Sequence, residues 1–339
     1  MEAQEYKPVV SVVIPHHTGT LIHRCLESLT KQEGVTPQII VVTSDTNFRT
    51  LDYHIEQLFS TDGPAGKRNF GVRFAKSRFI AFLDDDVEIS PFCLYEMWAC
   101  LKDNPKVGMC YAKILNMERR KEFDDAGSYL TCTGFLWARA ENGVEDTGQF
   151  DEPCEILASK SATCMVRRGA FFEAGGFDKD YFILGEETDL SWRMWLKGWR
   201  VLYWPQAVSW HAFNTSLKPK PKFYTDERIF YRGCHNYINL LLTNLGTRRL
   251  LCTLPLHISV WLVSAVGFAL RGEWRRSWLI LRGIWANFTG WRVILAKRRR
   301  VQSSRGVSDR ILMQTISRSP RFRYYTDRMR RYLSQGIHG

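Results

Sequence analysis

Phe79-Ile80-Ala81-Phe82-Leu83-Asp84-Asp85-Asp86 is a run of five apolar residues followed, with no spacer, by three carboxylates. A short continuous apolar run reads as a strand buried on both faces, the kind a parallel sheet requires. Its abrupt end in charge puts the acids at the strand's carboxyl end. Alternate residues of an extended segment point the same way, so Asp84 and Asp86 can face one site.

The flanks repeat the pattern. Residues 9–14 form an apolar run ending in Pro15, and residues 38–42 form another. Between them, residues 20–32 carry Leu21, Ile22, Cys25, Leu26 and Leu29 at helical spacing. Residues 50–59 read as a helix, as do 65–76 after Gly63-Pro64, with Phe70 and Phe74 inward. Downstream, 91–101 reads as a helix and 107–114 as a strand. This alternation argues for a doubly wound α/β body whose sheet is mixed but mainly parallel and flanked by helices. Ligands of such sheets sit beyond the carboxyl ends of the strands. Pro15-His16-His17, Thr43-Ser44-Asp45 and Asp84-Asp85-Asp86 all fall there. Residues 117–160 are polar and aperiodic, which suits loops and short strands. Short helices are expected over 168–176, ending at Gly175-Gly176, and over 187–197, closed by Gly198. A strand is expected over 199–204, stopping at Pro205.

The 339 residues suffice for one large domain and an appendage, and 45% hydrophobic content excludes a disordered chain. The N-terminal Met-Glu-Ala-Gln-Glu-Tyr-Lys lacks the apolar stretch of a secretory signal. Nine scattered cysteines without a Cys-x-x-Cys read as small core hydrophobes in a reducing compartment, not as a zinc site or disulfide frame. The net charge of +12 misleads as a whole-chain figure. From Arg271 onward there are 17 Arg/Lys and 3 Asp/Glu, a surplus of 14 that leaves the first 270 residues at −2. The basicity belongs to a tail, and its neighbour identifies the partner. Residues 250–270 contain no Asp, Glu, Lys or Arg and are long enough for a bilayer. Tryptophans 261, 274, 278, 285 and 291 are headgroup-level anchors, and 278–296, which carries Arg282 and Arg292, suits a helix lying in the interface. A membrane surface met through 246–300 is therefore expected, with a full crossing and a shallow helix both open, and a nucleic-acid partner is not. The plainer reading, a helix packed on the domain, fits Pro255 and His257.

Four groups of residues could carry chemistry. Asp84 and Asp86 offer hard oxygen ligands for Mg²⁺ or Mn²⁺; the bland alternative is a solvated acidic turn. Glu186, Glu187 and Asp189 open a helix, where acids also serve as caps, but three exceed what a cap needs, and a carboxylate there can act as a general base. Asp189 and Arg193 are spaced to pair. His211 follows a strand and could complete a metal site, although a lone histidine is more often structural. Lys67 and Arg68 after the Gly63-Pro64-Ala65-Gly66 turn suit phosphate or plain solvation.

In their fixed order these stretches resemble family 2 inverting glycosyltransferases of the GT-A fold, in particular the rhamnosyltransferase-like branch. The stretches are Ser11-Val-Val-Ile-Pro15; Cys25-Leu-Glu-Ser-Leu29 with Gln32; Gly66-Lys-Arg-Asn-Phe-Gly71; Phe79–Asp86; Gly175-Gly-Phe-Asp178; Glu186-Glu-Thr-Asp-Leu190 with Arg193 and Gly198; and His211 with Ser216. The resemblance implies a GT-A catalytic domain over 1–217, divided into a nucleotide-sugar half, 1–116, and an acceptor half, 117–217. A linker and helix would follow over 218–245, with Lys218-Pro-Lys-Pro-Lys222 as hinge, and a membrane-associated helical region over 246–339. It implies that Asp84, Asp86 and His211 hold Mg²⁺ or Mn²⁺. Pro15, Asp45, Lys67, Arg68, Asn69, Asp84 and Asp85 would line the nucleotide-sugar site. Glu187 would be the catalytic base, where the family usually has Asp, with Glu186 beside it. The chain departs from the family at Val42-Thr-Ser-Asp-Thr46, where an Asp-rich turn is usual, and at His16-His17. The implied activity is inverting transfer of a sugar to a hydroxyl of a lipid-linked or saccharide acceptor in cell-surface polysaccharide or glycolipid synthesis, on the cytoplasmic face of the membrane. A nucleotidyltransferase and an inactive nucleotide-sugar-binding scaffold are the alternatives, and homo-oligomerisation is left open.

Overall fold

The computed structural model describes residues 9–50, 55–213, 227–320, 323–327 and 330. The expected hinge at 218–222 and Ser216 lie outside the described residues. In chain order the elements are β1 (Val10–His16), α1 (Ile22–Thr30), β2 (Pro37–Thr43), β3 (Ile55–Phe59), α2 (Pro64–Val72), β4 (Phe79–Leu83), β5 (Val87–Ile89), α3 (Cys93–Asp103), β6 (Val107–Asn116), β7 (Phe123–Asp125), β8 (Ser128–Leu130), β9 (Leu136–Ala138), β10 (Cys154–Glu155), β11 (Thr163–Arg167), α4 (Arg168–Ala174), α5 (Glu186–Leu196) and β12 (Arg200–His211). A π-helical segment, Glu227–Arg232, leads into α6 (Gly233–Asn244), α7 (Thr247–Leu270), α8 (Trp274–Thr289), α9 (Trp291–Ser303) and α10 (Asp309–Ile316).

The main sheet runs β10-β12-β6-β11-β4-β1-β2-β3, with β5 paired to β12 and β7 to β6. β3, β2, β1 and β4 are mutually parallel; β11 enters antiparallel between β4 and β6, and β12 is again parallel to β6. Alternation puts Val13, Ile40, Val42 and Phe82 in one core and Val12, Ile14, Ile39, Val41 and Leu83 in the other. Helix α2 lies directly on β1: a Cβ at Gly71 would meet Val13 at 2.5 Å, so only glycine allows that approach. Six of the nine free cysteines are buried, as small core hydrophobes.

Two local expectations need correction. Residues 55–59 form a strand, not part of a helix. Ile55, Leu58 and Phe59 also satisfy helical spacing, but the open edge of β2 supplies hydrogen bonds, with Ile39 opposite Ile55. Pro205 does not end the final strand. β12 continues to His211 because its register against β6 shifts between Trp204 and Val208, so the proline sits where no ladder bond is needed.

The core does not stop at the sheet and its flanking helices. Leu241, Leu245, Val301, Leu312, Met313 and Ile316 are buried in the same cluster as Tyr111 and Trp192. A second cluster holds α6, α7 and α8 together through Phe230, Ile238, Trp261, Phe268 and Ile280. His257 docks α7 on the body: its ring bonds Thr133 O at 2.9 Å, accepts from Trp261 Nε1 at 3.0 Å and stacks on Phe135. Burial lowers its pKa to about 4, keeping it neutral.

Candidate active site

Sheet register brings the acids together. β4 ends at Leu83, and Asp84 N donates to Ala162 O at 3.0 Å. The chain turns through Asp85 and Asp86 into β5, whose Val87 lies opposite His211 at the end of β12. Ala212 N donates to Asp86 O at 3.0 Å and closes this corner. One ligand atom from each of Asp84, Asp86 and His211 lies within 4.8 Å of the others. Asp86 and His211 are buried and Asp84 is half-buried.

The histidine is oriented from behind. β7 pairs with β6 on the edge opposite β12, and Asp124 Oδ2 lies 2.8 Å from His211 Nδ1. Lys160 Nζ holds the other Asp124 oxygen at 2.6 Å. An Nδ1–H donating to this fully buried carboxylate leaves His211 Nε2 facing Asp86 Oδ1 at 3.4 Å. Burial opposes a charge on the ring, but Asp86 and Asp124 outweigh it and raise the pKa to about 10. Two carboxylates and an imidazole braced by a carboxylate fit a divalent cation of the Mg²⁺ or Mn²⁺ type, whose binding would displace the Nε2 proton.

Arg68, only 2% exposed, links this cluster to the glutamates. Its Nη2 lies 2.5 Å from Asp84 Oδ1 and its Nη1 lies 3.6 Å from Glu186 Oε1. Glu186 is buried and Glu187 half-buried at the first turn of α5. Burial raises the pKa of both carboxyls. Arg68 partly offsets this for Glu186, whereas the charge of Glu186 pushes Glu187 well above the usual range. A proton held between two adjacent carboxyls is the natural outcome, and the site can give it up or take it. Replacing Arg68 with Met should cost about 3 kcal/mol of stability by leaving the buried Glu186 and the half-buried Asp84 without their cation. Chemical denaturation would measure it, and an unchanged midpoint would contradict the bridging role.

The other expected residues divide into two groups. Lys67 Nζ donates to His16 O at 2.5 Å and Ser44 Oγ at 2.9 Å, joining the ends of β1 and β2 beside Pro15. His16 bonds Thr43 Oγ1 at 2.9 Å, packs at a tilt against Phe48 and has a buried, unpartnered Nε2. Asp45 accepts from Asn47 N at 2.8 Å at the rim, and Asp85 lies half-buried in the turn. Asn69 faces elsewhere: its amide exchanges two bonds with the Phe177 backbone, at 2.8 and 2.9 Å. Asp189 pairs with Arg193 at 2.6 Å, and Arg193 also reaches Ala174 O and Gly176 O, fixing α5 against the Gly175-Gly176 turn.

The backbone delivering Glu186 and Glu187 is strained. Phe182 and Leu184 have φ of +59° and +69°, and Gly185, the N-cap of α5, has +104°. For the two non-glycine residues this costs about 1–3 kcal/mol each. Sequence reasoning missed Asp124, Lys160 and the asparagines of α6 that meet this segment. The available signal was the spacing of Asn236, Asn239, Thr243 and Asn244 along an otherwise apolar helix.

Residues 11–172 match the family model described as glycosyl transferase family 2. The chain is 27% identical over 217 residues to a pre-mycofactocin glycosyltransferase of Mycobacterium tuberculosis, covering 61% of this chain and 41% of that protein. It is 44% identical over 62 residues to an N-acetylglucosaminyl-diphospho-decaprenol L-rhamnosyltransferase of the same organism, covering 17% and 20%. The chain spans about two fifths of the first of these relatives. Among solved structures, GalNAc-T7 with UDP, GalNAc and Mn²⁺ superposes with a TM-score of 0.53 at 17% identity, over 70% of this chain and 48% of that one. The sheet order and this superposition give the fold as GT-A.

Proposed function

We propose, from the premise that residues 11–172 match the model of glycosyl transferase family 2, that the protein moves a sugar from a nucleotide-diphosphate donor to a hydroxyl group, with inversion at the anomeric carbon. The observation that supports this most is the cluster of Asp84, Asp86 and His211, joined through Arg68 to Glu186 of the Glu186–Glu187 pair. A bound Mg²⁺ or Mn²⁺ on Asp84, Asp86 and His211 would neutralise charge on the departing diphosphate. The chain's own groups would do the rest. Lys67, at the ends of β1 and β2 with Pro15, Asp45 and Asp85 nearby, supplies positive charge on the donor side. Arg68 sits between Asp84 and Glu186 and pairs with both. Glu187 takes the proton of the acceptor hydroxyl as its oxygen bonds to the anomeric carbon. The bond from that carbon to the diphosphate oxygen breaks, and the nucleoside diphosphate leaves with the electron pair.

The test is product analysis with a panel of UDP-, GDP- and dTDP-sugars. Nucleoside diphosphate release and an inverted anomer are expected. Pyrophosphate release would mean nucleotidyl transfer instead, and donor binding without any turnover would mean a scaffold.

We further propose that the acceptor is lipid-linked and that the protein lies on the cytoplasmic face of the membrane through α7 and α8. Helix α7 is long and apolar enough to cross a bilayer, but one of its faces is committed to the body through His257 and Trp261. Helix α8 presents Trp274, Trp278, Leu281, Trp285 and Phe288 on one face, each between 46% and 69% exposed. Val263, Val266 and Leu270 do the same on α7, with Arg271, Arg275 and Arg282 exposed near them. An apolar face edged by arginine suits an anionic lipid surface. Changing Trp274, Trp278 and Trp285 together to Ala should lower retention on phosphatidylglycerol-containing vesicles at least tenfold without altering the fold. Unchanged flotation, or retention on DNA instead at physiological salt, would contradict the reading.

A further inference from the structure

We propose that Asn236 is a positioning residue for Glu187: its side-chain amide clamps the strained turn that aims the glutamate pair, so α6 sets the geometry of the base. The inference rests on Glu187 acting as base. Asn236 is 2% exposed on the face of α6 turned toward α5. Its Nδ2, with two N–H groups to share, lies within hydrogen-bond distance of three carbonyls, Tyr181 O at 3.1 Å, Ile183 O at 2.8 Å and Leu184 O at 2.8 Å. Three acceptors around one nitrogen fix which end of the amide points inward, and His235 Nδ1 lies 3.2 Å from the opposite oxygen. Between and beside these carbonyls stand the left-handed residues Phe182, Leu184 and Gly185. A chain relaxed to ordinary φ would turn these carbonyls away, so the conformation persists because a buried donor demands it.

The rest of α6 grips the same segment. Asn239 receives the Tyr181 hydroxyl at 3.5 Å, and Asn244 Nδ2 donates to Asp189 Oδ1 at 3.0 Å. A Cβ at Gly185 would meet Leu240 at 3.1 Å, so helix and turn are in direct contact. Lys297 of α9 holds the preceding residues, at 2.6 Å from Asp178 and 2.7 Å from Asp180. The base is thus carried on a turn braced by helices from the C-terminal third of the chain. A misplacement of about 1 Å at a reacting group can cost on the order of 100-fold in rate.

The experiment compares full-length wild type, Asn236→Ala, Glu187→Gln and the double variant. Donor hydrolysis, with water in place of the acceptor alcohol, is scored as nucleoside diphosphate released, and Mn²⁺ affinity is measured on the same samples. Asn236→Ala should lose about 100-fold in kcat, with Mn²⁺ affinity held within about threefold because Asp84, Asp86 and His211 are untouched. In the Glu187→Gln background the same substitution should cost almost nothing more, since there is no base left to misplace. A full additional loss in the double variant would reveal a general structural defect and overturn the proposal. Near-normal turnover of Asn236→Ala beside an inactive Glu187→Gln would overturn it alone. Full turnover of Glu187→Gln would remove the base assignment and this inference with it. Should Asn236→Ala not fold, Asn236→Ser, which keeps one donor, is read by the same criteria.

Discussion

Replacing Glu187 with Gln should reduce turnover by about 10²–10⁴-fold, the range expected when a positioned proton acceptor is removed. The amide matches the carboxyl in size and leaves Arg68, Asp84 and Glu186 in place, so donor and metal binding should stay near wild type. The pH profile provides an independent check. Burial and the neighbouring charge of Glu186 hold the Glu187 proton to higher pH than an ordinary glutamate, whose pKa is about 4.3. Below that point the group is occupied and cannot accept a proton. The rate should therefore rise about tenfold per pH unit until the proton leaves, with its midpoint well above the usual carboxylate range. The Gln variant should lack this limb. A Glu187→Gln enzyme with wild-type turnover would exclude Glu187 and direct the same test to Glu186.

Replacing Asp86 with Ala should be comparably severe, by a different route. Asp86 is buried, faces His211 Nε2 at 3.4 Å and belongs to the cluster that fits a divalent cation. Its loss should lower Mn²⁺ affinity at least 100-fold and abolish turnover, and excess EDTA should do the same to wild type. The His211 ring should also titrate at lower pH, because one of the two carboxylates holding its proton is gone. NMR titration of the metal-free variant would record that shift. Undiminished transfer in EDTA would contradict the role given to the metal. Asp124→Asn offers a milder comparison: it retains a hydrogen-bond acceptor behind His211 but removes the charge, and a loss of about 10–100-fold in metal affinity is typical of such outer contacts.

The two halves of this site differed in how openly the sequence displayed them. The strand ending in Asp84-Asp85-Asp86 was legible because continuous apolar residues stop abruptly at charge, and Phe79–Leu83 is the strand observed. From its local sequence His211 is only a residue after a strand, and its place in the metal set came from the family resemblance. Its partnership with Asp86 depends on the antiparallel pairing of β5 with β12, which β12 reaches only after a register shift against β6 around Pro205, a residue that reads locally as a stop. Asp124 and Lys160 could not be found from spacing, since 36 residues separate them and they meet only through the fold. Glu186 and Glu187 were visible as excess acid at a helix start, but the backbone that aims them was not. Positive φ at Phe182 and Leu184 contradicts local preference and is sustained by contacts from α6, some fifty residues downstream. The exposed apolar stripe of α8 was partly legible from its tryptophans. That α9 and α10 also complete the core beneath the catalytic body was not, because Val301, Leu312 and Ile316 lie in a strongly basic stretch that reads as solvated.

Acids remote in sequence are proposed to share one cleft, some binding a cation while another faces the incoming alcohol. Anomalous scattering from a crystal soaked in MnCl₂ should then show one strong peak bounded by Asp84, Asp86 and His211, with ligand distances of about 2.1 Å and the Glu187 carboxyl opening into the same cleft. A manganese peak on other residues, or none at these three in a crystal that has taken up the ion, would contradict it.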